Sequence, residues 1–103
     1  MSVGGVGSVG IQNFQPGQIV FVKKGRDKGL AMVILAVEPE NGVNYLRLVN
    51  GKVRPLSKPK RKKAMHVQPT NKIVDFASVG PRGLQDADIR KMLGEEVGPL
   101  GEI

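Results

Sequence analysis

The sequence predicts a mainly β protein: a small barrel of about five strands with a short C-terminal α-helix and flexible termini. Apolar runs in the first two thirds of the chain are short and rich in Val and Ile, which is typical of strands. Asn-Gly pairs at 41–42 and 50–51 are strong hairpin signals, because a type I′ turn requires positive φ at both central positions. Only residues 84–93 combine helical spacing with helical end residues. These observations favour an antiparallel meander with one helix added.

The 103 residues are enough for one domain. We expect the barrel domain over residues 14–76, preceded by a flexible N-terminal arm over 1–13. Residues 77–103 are expected to hold a linker, the short helix and a disordered tail. The arm contains a formal GxGxxG pattern, but no strand is predicted before it to present the glycines to a dinucleotide. It is therefore interpreted as a flexible segment.

The first two strands are predicted at 19–22 and 33–37, and a basic loop joins them. The second strand should end near Glu38-Pro39, because proline cannot donate a hydrogen bond to a ladder. The loop places four cations beside two glycines, which can adopt positive φ and allow a ligand close to the backbone. Cations and exposed amide groups in a constrained loop suit a phosphate backbone. The six residues are Lys23, Lys24, Gly25, Arg26, Lys28 and Gly29.

Three further strands complete the predicted barrel. Residues 43–49 lie between the two Asn-Gly pairs and alternate as a half-buried strand should. The fourth strand is predicted at 52–56, short or at an edge because it contains Pro55. The basic run SKPKRKK at 57–63 is then predicted to be a loop, and a fifth strand at about 65–68 would close the barrel.

The C-terminal third of the chain leaves the barrel, and Ile73, Val74 and Phe76 are expected to pack back against it. The helix predicted at 84–93 has two aspartates near its start and two cations near its end, as the helix dipole favours, and Gly94 can end it. A helix this short is marginal alone. It needs a surface to pack on, which is either its own barrel or a partner.

Positive charge is concentrated in the barrel region. Residues 17–72 contain thirteen Lys or Arg and three acids, a net charge of +10, whereas residues 73–103 contain three Lys or Arg and six acids, a net charge of −3. A chain divided in this way should attract nucleic acid through its barrel region only. Lysine and arginine on phosphates supply most of the non-specific affinity. The predicted RNA-binding residues are the six loop residues named above together with Lys52, Arg54, Lys58, Lys60, Arg61, Lys62, Lys63 and His66.

A few residues of the sequence could contact bases rather than phosphates. Arg26, Arg54 and Arg61 can stack on bases or make bidentate contacts, which lysine cannot. His66 is either a phosphate or base contact or a packing residue, and Tyr45 is either a core residue or a stacking platform. The four aromatic residues are too few for serial stacking on a single strand. Recognition of folded RNA through its backbone and shape fits better.

Two motifs resemble those of a known protein family. Alternating apolar residues, basic residues, Gly25, Asp27-Lys28-Gly29 and then Val33 are similar to the KOW motif of ribosomal proteins and transcription elongation factors. The segment KRKKAMHVQPTNK at 60–72 is similar to the basic run and His-x-x-Pro-Thr of the fourteen-e family of archaeal and eukaryotic large-subunit ribosomal proteins. The resemblance covers about residues 17–72 and departs from the KOW pattern at Met32, where glycine is common. The short chain and its different C-terminal third are more similar to the bacterial KOW-domain RNA-binding proteins.

The resemblance implies a small SH3-like barrel that binds RNA. The leading hypothesis is a non-catalytic, cytoplasmic, ribosome-associated protein of translation that binds structured RNA, with ribosomal RNA the expected class. The alternative is a protein-interaction adapter of the transcription or translation machinery. Such an adapter would use the KOW barrel edge and the C-terminal helix to bind a ribosomal or transcription-related protein.

Other classes of function have little support in the sequence. With no cysteine and one histidine, a metal site and a cysteine nucleophile are not expected. No Ser/His/Asp set is suggested, and the acid pairs at 86/88 and 95/96 lie where nothing would exclude water. The longest apolar run, at 30–37, is far shorter than the ~20 residues that span a bilayer. We therefore expect no enzyme activity, cofactor, small-molecule substrate or membrane partner.

Overall fold

The computed structural model describes residues 14–76 and 83–97. Within them the protein is mainly β, with five antiparallel strands in one sheet and a C-terminal helix, which confirms the predicted mainly β class with one helix added. The predicted arm at 1–13, the linker residues 77–82 and the tail beyond 97 lie outside the described residues. The elements, in chain order, are β1 (Gln18–Val22), β2 (Ala31–Glu40), β3 (Val43–Val49), β4 (Lys60–Lys63), a 3₁₀ turn (Ala64–His66), β5 (Val67–Ile73) and α1 (Asp86–Val97).

The strands follow the order β4-β3-β2-β1-β5 across the sheet. Strand β1 is paired on both sides, because Val20 lies opposite Met32 of β2 and opposite Pro69 of β5. The two edge strands, β4 and β5, follow one another in the chain and are joined by the 3₁₀ turn. Three residues of 3₁₀ helix rise only about 6 Å, so the end of β4 and the start of β5 lie close together.

The first Asn-Gly pair forms a two-residue turn, as the sequence predicts. Asn41 and Gly42 have φ of 51° and 78°, and Glu40 and Val43 are the last paired residues on either side. Strand β2 extends past its predicted end, since Pro39 remains in the ladder. Pro39 lies next to the turn, so the hydrogen-bond donor that it lacks is lost only at the end of the ladder, and the rest of the ladder stays intact.

The second Asn-Gly pair does not form a hairpin, and the strand predicted at 52–56 is wrong. Asn50 is buried, and its Oδ1 accepts hydrogen bonds from the N–H groups of Lys52 and Arg54, both at 3.0 Å. A side chain that binds these donors offers the backbone an alternative to a ladder. Residues 51–59 consequently form a loop, and the fourth strand begins at Lys60, inside the run that was expected to be a loop.

Strand β5 and helix α1 also differ in extent from the prediction. The 3₁₀ turn occupies residues 64–66, so β5 begins at Val67 and continues for seven residues. The helix begins at Asp86 and passes through Gly94, which was expected to end it. Glycine inside a helix costs roughly 1 kcal/mol relative to alanine, which weakens a helix without requiring it to stop.

Apolar residues are buried on both faces of the sheet. Val74 and Phe76 pack back against it as expected, whereas Ile73 is 51% exposed, because alternation along the chain directs it away from Val74. One face buries Val20, Val22, Met32, Ile34, Leu46, Leu48 and Val67. The other buries Ile19, Ala31, Val33 and Val49 against Val74, Ile89 and Leu93. Because Ile89 and Leu93 belong to α1, the apolar side of the helix is covered by its own sheet.

Candidate nucleic-acid interface

The loop between β1 and β2, residues 23–30, is a compact series of turns that we call the first basic loop. The N–H of Gly29 donates to the carbonyl of Val22 at 2.8 Å and joins its two ends. Inside it, the N–H of Lys28 donates to the carbonyl of Gly25 at 3.2 Å. Gly25 and Gly29 have φ of 93° and 91°, values that glycine adopts without strain. The four cations of this loop are exposed to solvent.

The acid of the first basic loop connects it to the second basic loop, residues 51–59. Asp27 is buried, and Arg54 Nε donates to its Oδ2 at 2.7 Å. The Asn50 side chain fixes the backbone of Arg54 on the other side of this contact. The ion pair therefore holds the two basic loops side by side at one end of the sheet.

Helix α1 supports the second basic loop. Arg90 Nη1 donates to the carbonyl of Gly51 at 2.6 Å, and the N–H of Leu56 donates to Asp86 Oδ1 at 2.8 Å. Gly51 has φ of 77°, and a Cβ on it would lie 2.5 Å from the Asp86 carbonyl oxygen. Only glycine permits this approach. Contacts thus run from the helix through the second basic loop to Asp27.

Lysines from the first basic loop and from β4 converge around His66. The N–H of Lys23 donates to the carbonyl of His66 at 2.8 Å. Lys62 Nζ lies 2.8 Å from the position that a Cβ on Gly25 would take. The pKa of His66 is lowered below 6.5 by partial desolvation and then by four nearby ammonium groups, those of Lys24, Lys62, Lys63 and Lys23. We call Lys23, Lys24, Arg26, Lys28, Lys62, Lys63 and His66 the basic face.

Ion pairing divides the thirteen cations of residues 17–72 into two groups. Four of them pair with described acids: Arg47, Arg54, Arg61 and Lys72. The other nine pair with no acid in residues 14–76 or 83–97: Lys23, Lys24, Arg26, Lys28, Lys52, Lys58, Lys60, Lys62 and Lys63. Eight of these nine are lysines. The charge left for an external ligand is therefore carried mainly by compact ammonium groups rather than by planar guanidinium groups.

Arg61 makes several contacts within the fold, with an aromatic ring and with two acids. Its guanidinium carbon lies 3.7 Å from the centroid of the Tyr45 ring. Its Nη2 contacts Glu40, and its Nε lies 3.7 Å from Glu38 Oε1, while Arg47 Nε donates to Glu38 Oε2 at 2.8 Å. Tyr45 is half-buried beneath this network. Tyr45 is therefore not a fully buried core residue. One side of its ring is covered by Arg61, so that side is not free to stack on a base.

The remaining predicted site residues lie around the basic face. Lys52 and Lys58 are exposed in the second basic loop, and Lys60 is half-buried at the start of β4. Gly29 closes the first basic loop, with open space where a side chain would be. Arg54 lies at the junction of the two loops, where its Nε is used by Asp27.

Sequence reasoning missed the residues that hold the two basic loops together. Asp27 and Asn50 carry no positive charge, so a search for cations passes over them. For Asp27 a signal was available, because it is a single acid between Arg26 and Lys28 in a loop of cations. A buried acid in such a place indicates an internal partner for one arginine.

Residues 14–76 and 83–97 contain no group of three or more His, Cys, Asp or Glu side chains that could hold a metal ion. None of the helices described is long and apolar enough to cross a membrane. In comparisons with known proteins, no protein-family model matches the chain, and no curated protein is significantly similar to it.

Proposed function

We propose that this protein is a non-catalytic RNA-binding protein that holds structured RNA on its basic face, with ribosomal RNA the expected class. The observation that carries the proposal is that the first basic loop and β4 meet: the N–H of Lys23 donates to the carbonyl of His66, and Lys62 Nζ lies 2.8 Å from the position that a Cβ on Gly25 would take. Like charges brought together repel one another, and a polyanion relieves that repulsion. A phosphate backbone supplies such charges at regular spacing.

The chemistry of the basic face favours contacts with the backbone of RNA over contacts with bases. Lysine binds phosphate as a point charge, whereas planar bidentate recognition of base edges belongs to arginine. Of the arginines in the predicted site, Arg54 and Arg61 are used internally, which leaves Arg26. The ring of Tyr45 is covered by Arg61. These features support recognition of folded RNA by charge and shape.

The motif resemblance supports the same proposal, and a five-stranded antiparallel sheet agrees with the fold that it implies. We infer a place in the cytoplasm, in association with the ribosome. A protein-interaction adapter has less support, because the apolar residues Ile89 and Leu93 of α1 are buried against the sheet and leave the helix fewer apolar groups for a partner. Catalysis has no support among the described residues, since His66 lies with lysines and not with a nucleophile.

Binding across a salt series tests the proposal. The affinity of the full chain is measured for an RNA hairpin, an unstructured RNA of equal length, a DNA duplex and polyphosphate, at about 50 to 200 mM salt, where phosphate contacts show themselves. We expect the hairpin to bind most tightly, with an affinity that falls steeply with salt.

A double variant of β4 and a control variant of α1 locate the binding. Lys62→Gln with Lys63→Gln should reduce hairpin affinity and flatten the salt dependence by roughly one unit of slope per lost phosphate contact. Lys91→Gln removes an exposed charge from α1 and should change neither the hairpin affinity nor its salt dependence. Equal and weak binding to all four polyanions, or equal effects of the β4 and α1 variants, would contradict the proposal.

A further inference from the structure

The first basic loop contains four consecutive amide groups that have no acceptor in the described part of the chain. The N–H groups of Val22 and Lys23 before them, and of Lys28, Gly29 and Leu30 after them, each donate to a backbone carbonyl. The N–H groups of residues 24–27 donate to no carbonyl or side chain described. The unused donors are thus confined to one short stretch at the tip of the loop.

Gly25 lies within this stretch, and its backbone conformation matters. Its φ is 93°, and a residue of positive φ beside ordinary turn residues directs successive amide groups into a shared concavity. Such concavities bind anions. A Cβ on Gly25 would lie 2.8 Å from Lys62 Nζ, so the Lys62 ammonium group lies directly against the glycine backbone.

The charges around Gly25 favour a negatively charged ligand. Lys24 and Lys62 form no ion pair with a described acid, and both are close enough to His66 to lower its pKa. Asp27 is the acid of the same loop, and its Oδ2 accepts a hydrogen bond from Arg54 Nε at 2.7 Å. The negative charge of Asp27 is therefore compensated by Arg54 of the second basic loop.

We propose that the amide groups of residues 24–27 and the ammonium group of Lys62 form a discrete site for one phosphate group. This inference rests on the proposed function, and its natural ligand is a phosphodiester of the bound RNA. Phosphate oxygens accept from backbone N–H groups and from ammonium in short, charge-assisted hydrogen bonds. Gly25 is the residue that determines the site, since a Cβ there would lie 2.8 Å from Lys62 Nζ and displace that ammonium group.

Two glycines of the same loop provide a matched test. Gly25 and Gly29 have nearly equal positive φ, so alanine strains both to a similar extent. They differ in surroundings, because a Cβ on Gly29 meets nothing within 4 Å. Gly25→Ala should weaken binding of the RNA hairpin by about tenfold or more, the effect of losing hydrogen bonds to a charged group. Gly29→Ala should retain the wild-type affinity, and urea unfolding should show equal stability for the two variants.

Inorganic phosphate provides a second measurement that does not depend on RNA. In ¹⁵N–¹H NMR spectra, phosphate added at constant ionic strength against chloride should shift the amide signals of residues 24–27 in the wild type and in Gly29→Ala. It should not shift them in Gly25→Ala. Hairpins with and without a 5′-phosphate distinguish the source, since a phosphodiester ligand predicts equal affinity for both and a terminal phosphate predicts a difference.

The outcomes separate this site from the proposed function. If Gly25→Ala and Gly29→Ala bind RNA alike, and amides 24–27 are unmoved by phosphate, the phosphate site is wrong. RNA binding that still depends on salt and on Lys62 and Lys63 would leave the proposed function intact in that case. If the wild type binds no RNA but phosphate shifts the four amides, the phosphodiester is not the ligand, although the anion site is real.

Discussion

Asp27 and Arg54 form an ion pair that joins two basic loops 27 residues apart in the chain. Arg54 Nε donates to Asp27 Oδ2 at 2.7 Å, and the exposed fractions of the two side chains are 26% and 8%. Burial reduces the screening of this pair by water. The contact also uses an arginine that the sequence suggested for RNA, so its first role in the fold is to position the loops.

Arg54→Ala should lower the free energy of unfolding by about 1–3 kcal/mol, because it leaves the buried Asp27 carboxylate without its partner. Lys52→Ala is the matched control from the same loop, since Lys52 is exposed and unpaired among the described residues, and should change stability by less than about 0.5 kcal/mol. Urea unfolding measures both. Equal midpoints for the two variants would show that the ion pair does not stabilise the fold.

The two Asn-Gly pairs show how far local sequence determines this fold. The same dipeptide predicts the same turn, and Asn41-Gly42 forms it. Asn50 is instead buried, and it binds the backbone of its own loop while Arg90 binds the carbonyl of Gly51. The Asn50 contacts are local, whereas the contact from Arg90 comes from a helix about forty positions later, which the dipeptide alone does not reveal. The first three strands were predictable from apolar runs, whereas β4 has the sequence KRKK, which contains no apolar residue to mark it as a strand.

The sequence predicts that the candidate site is positively charged, but not which of its cations form ion pairs. Composition and spacing identified the cations, because thirteen Lys or Arg in one region cannot all be neutralised by three acids. Which cations pair depends on strand order, which places Arg61 of β4 near Glu38 and Glu40 of β2 across the intervening β3. Sequence separation gives no measure of that distance.

Helix α1 should contribute strongly to stability, because Ile89 is fully buried against the sheet. Ile89→Ala should cost about 2–5 kcal/mol, the range for deletion of a buried aliphatic side chain. Lys91→Ala is the control from the exposed side of the helix and should have an effect near zero. Urea unfolding of the full chain measures the difference, and a small cost for Ile89→Ala would mean that the helix is not docked in solution.

Arg61 and Lys63 of β4 form a matched pair for RNA binding. They lie two residues apart on one face of the strand, opposite Arg47 and Tyr45, yet only Arg61 is ion-paired among the described residues. We expect Lys63→Gln to reduce the slope of log affinity against log salt by roughly one, as for a lost phosphate contact. Arg61→Gln should leave the slope unchanged, because its charge is already compensated by Glu38 and Glu40.

The stability cost of Arg61→Gln should be small, about 0–1 kcal/mol, since these ion pairs are partly exposed. Affinity for an RNA hairpin, measured by fluorescence anisotropy at several salt concentrations, gives both slopes. If Arg61→Gln flattened the salt dependence as much as Lys63→Gln, the paired and unpaired cations would have to be treated as equivalent contacts.

His66 should make the stability of the free protein depend on pH below neutrality. Its pKa in the folded state is lowered from 6.5 by partial desolvation and by the four lysines, whereas the unfolded chain retains the ordinary value. Just below pH 6.5 the unfolded state therefore binds more protons than the folded state, so the free energy of unfolding decreases as pH falls. Urea unfolding between about pH 7.5 and 5.5 should show this decrease, and added salt should diminish it, because salt screens the lysine charges.

His66→Gln is the control, since glutamine does not titrate and should remove most of the pH dependence in this range. Bound RNA should have the opposite influence on the histidine: phosphates neutralise Lys24, Lys62 and Lys63, so the pKa of His66 rises on binding. By linkage, RNA affinity of the wild type should increase as pH falls through this range, and the affinity of His66→Gln should change less. If the wild type and His66→Gln showed the same pH profiles for both stability and binding, the lysines would not act on His66, and the basic face would not be a single electrostatic unit.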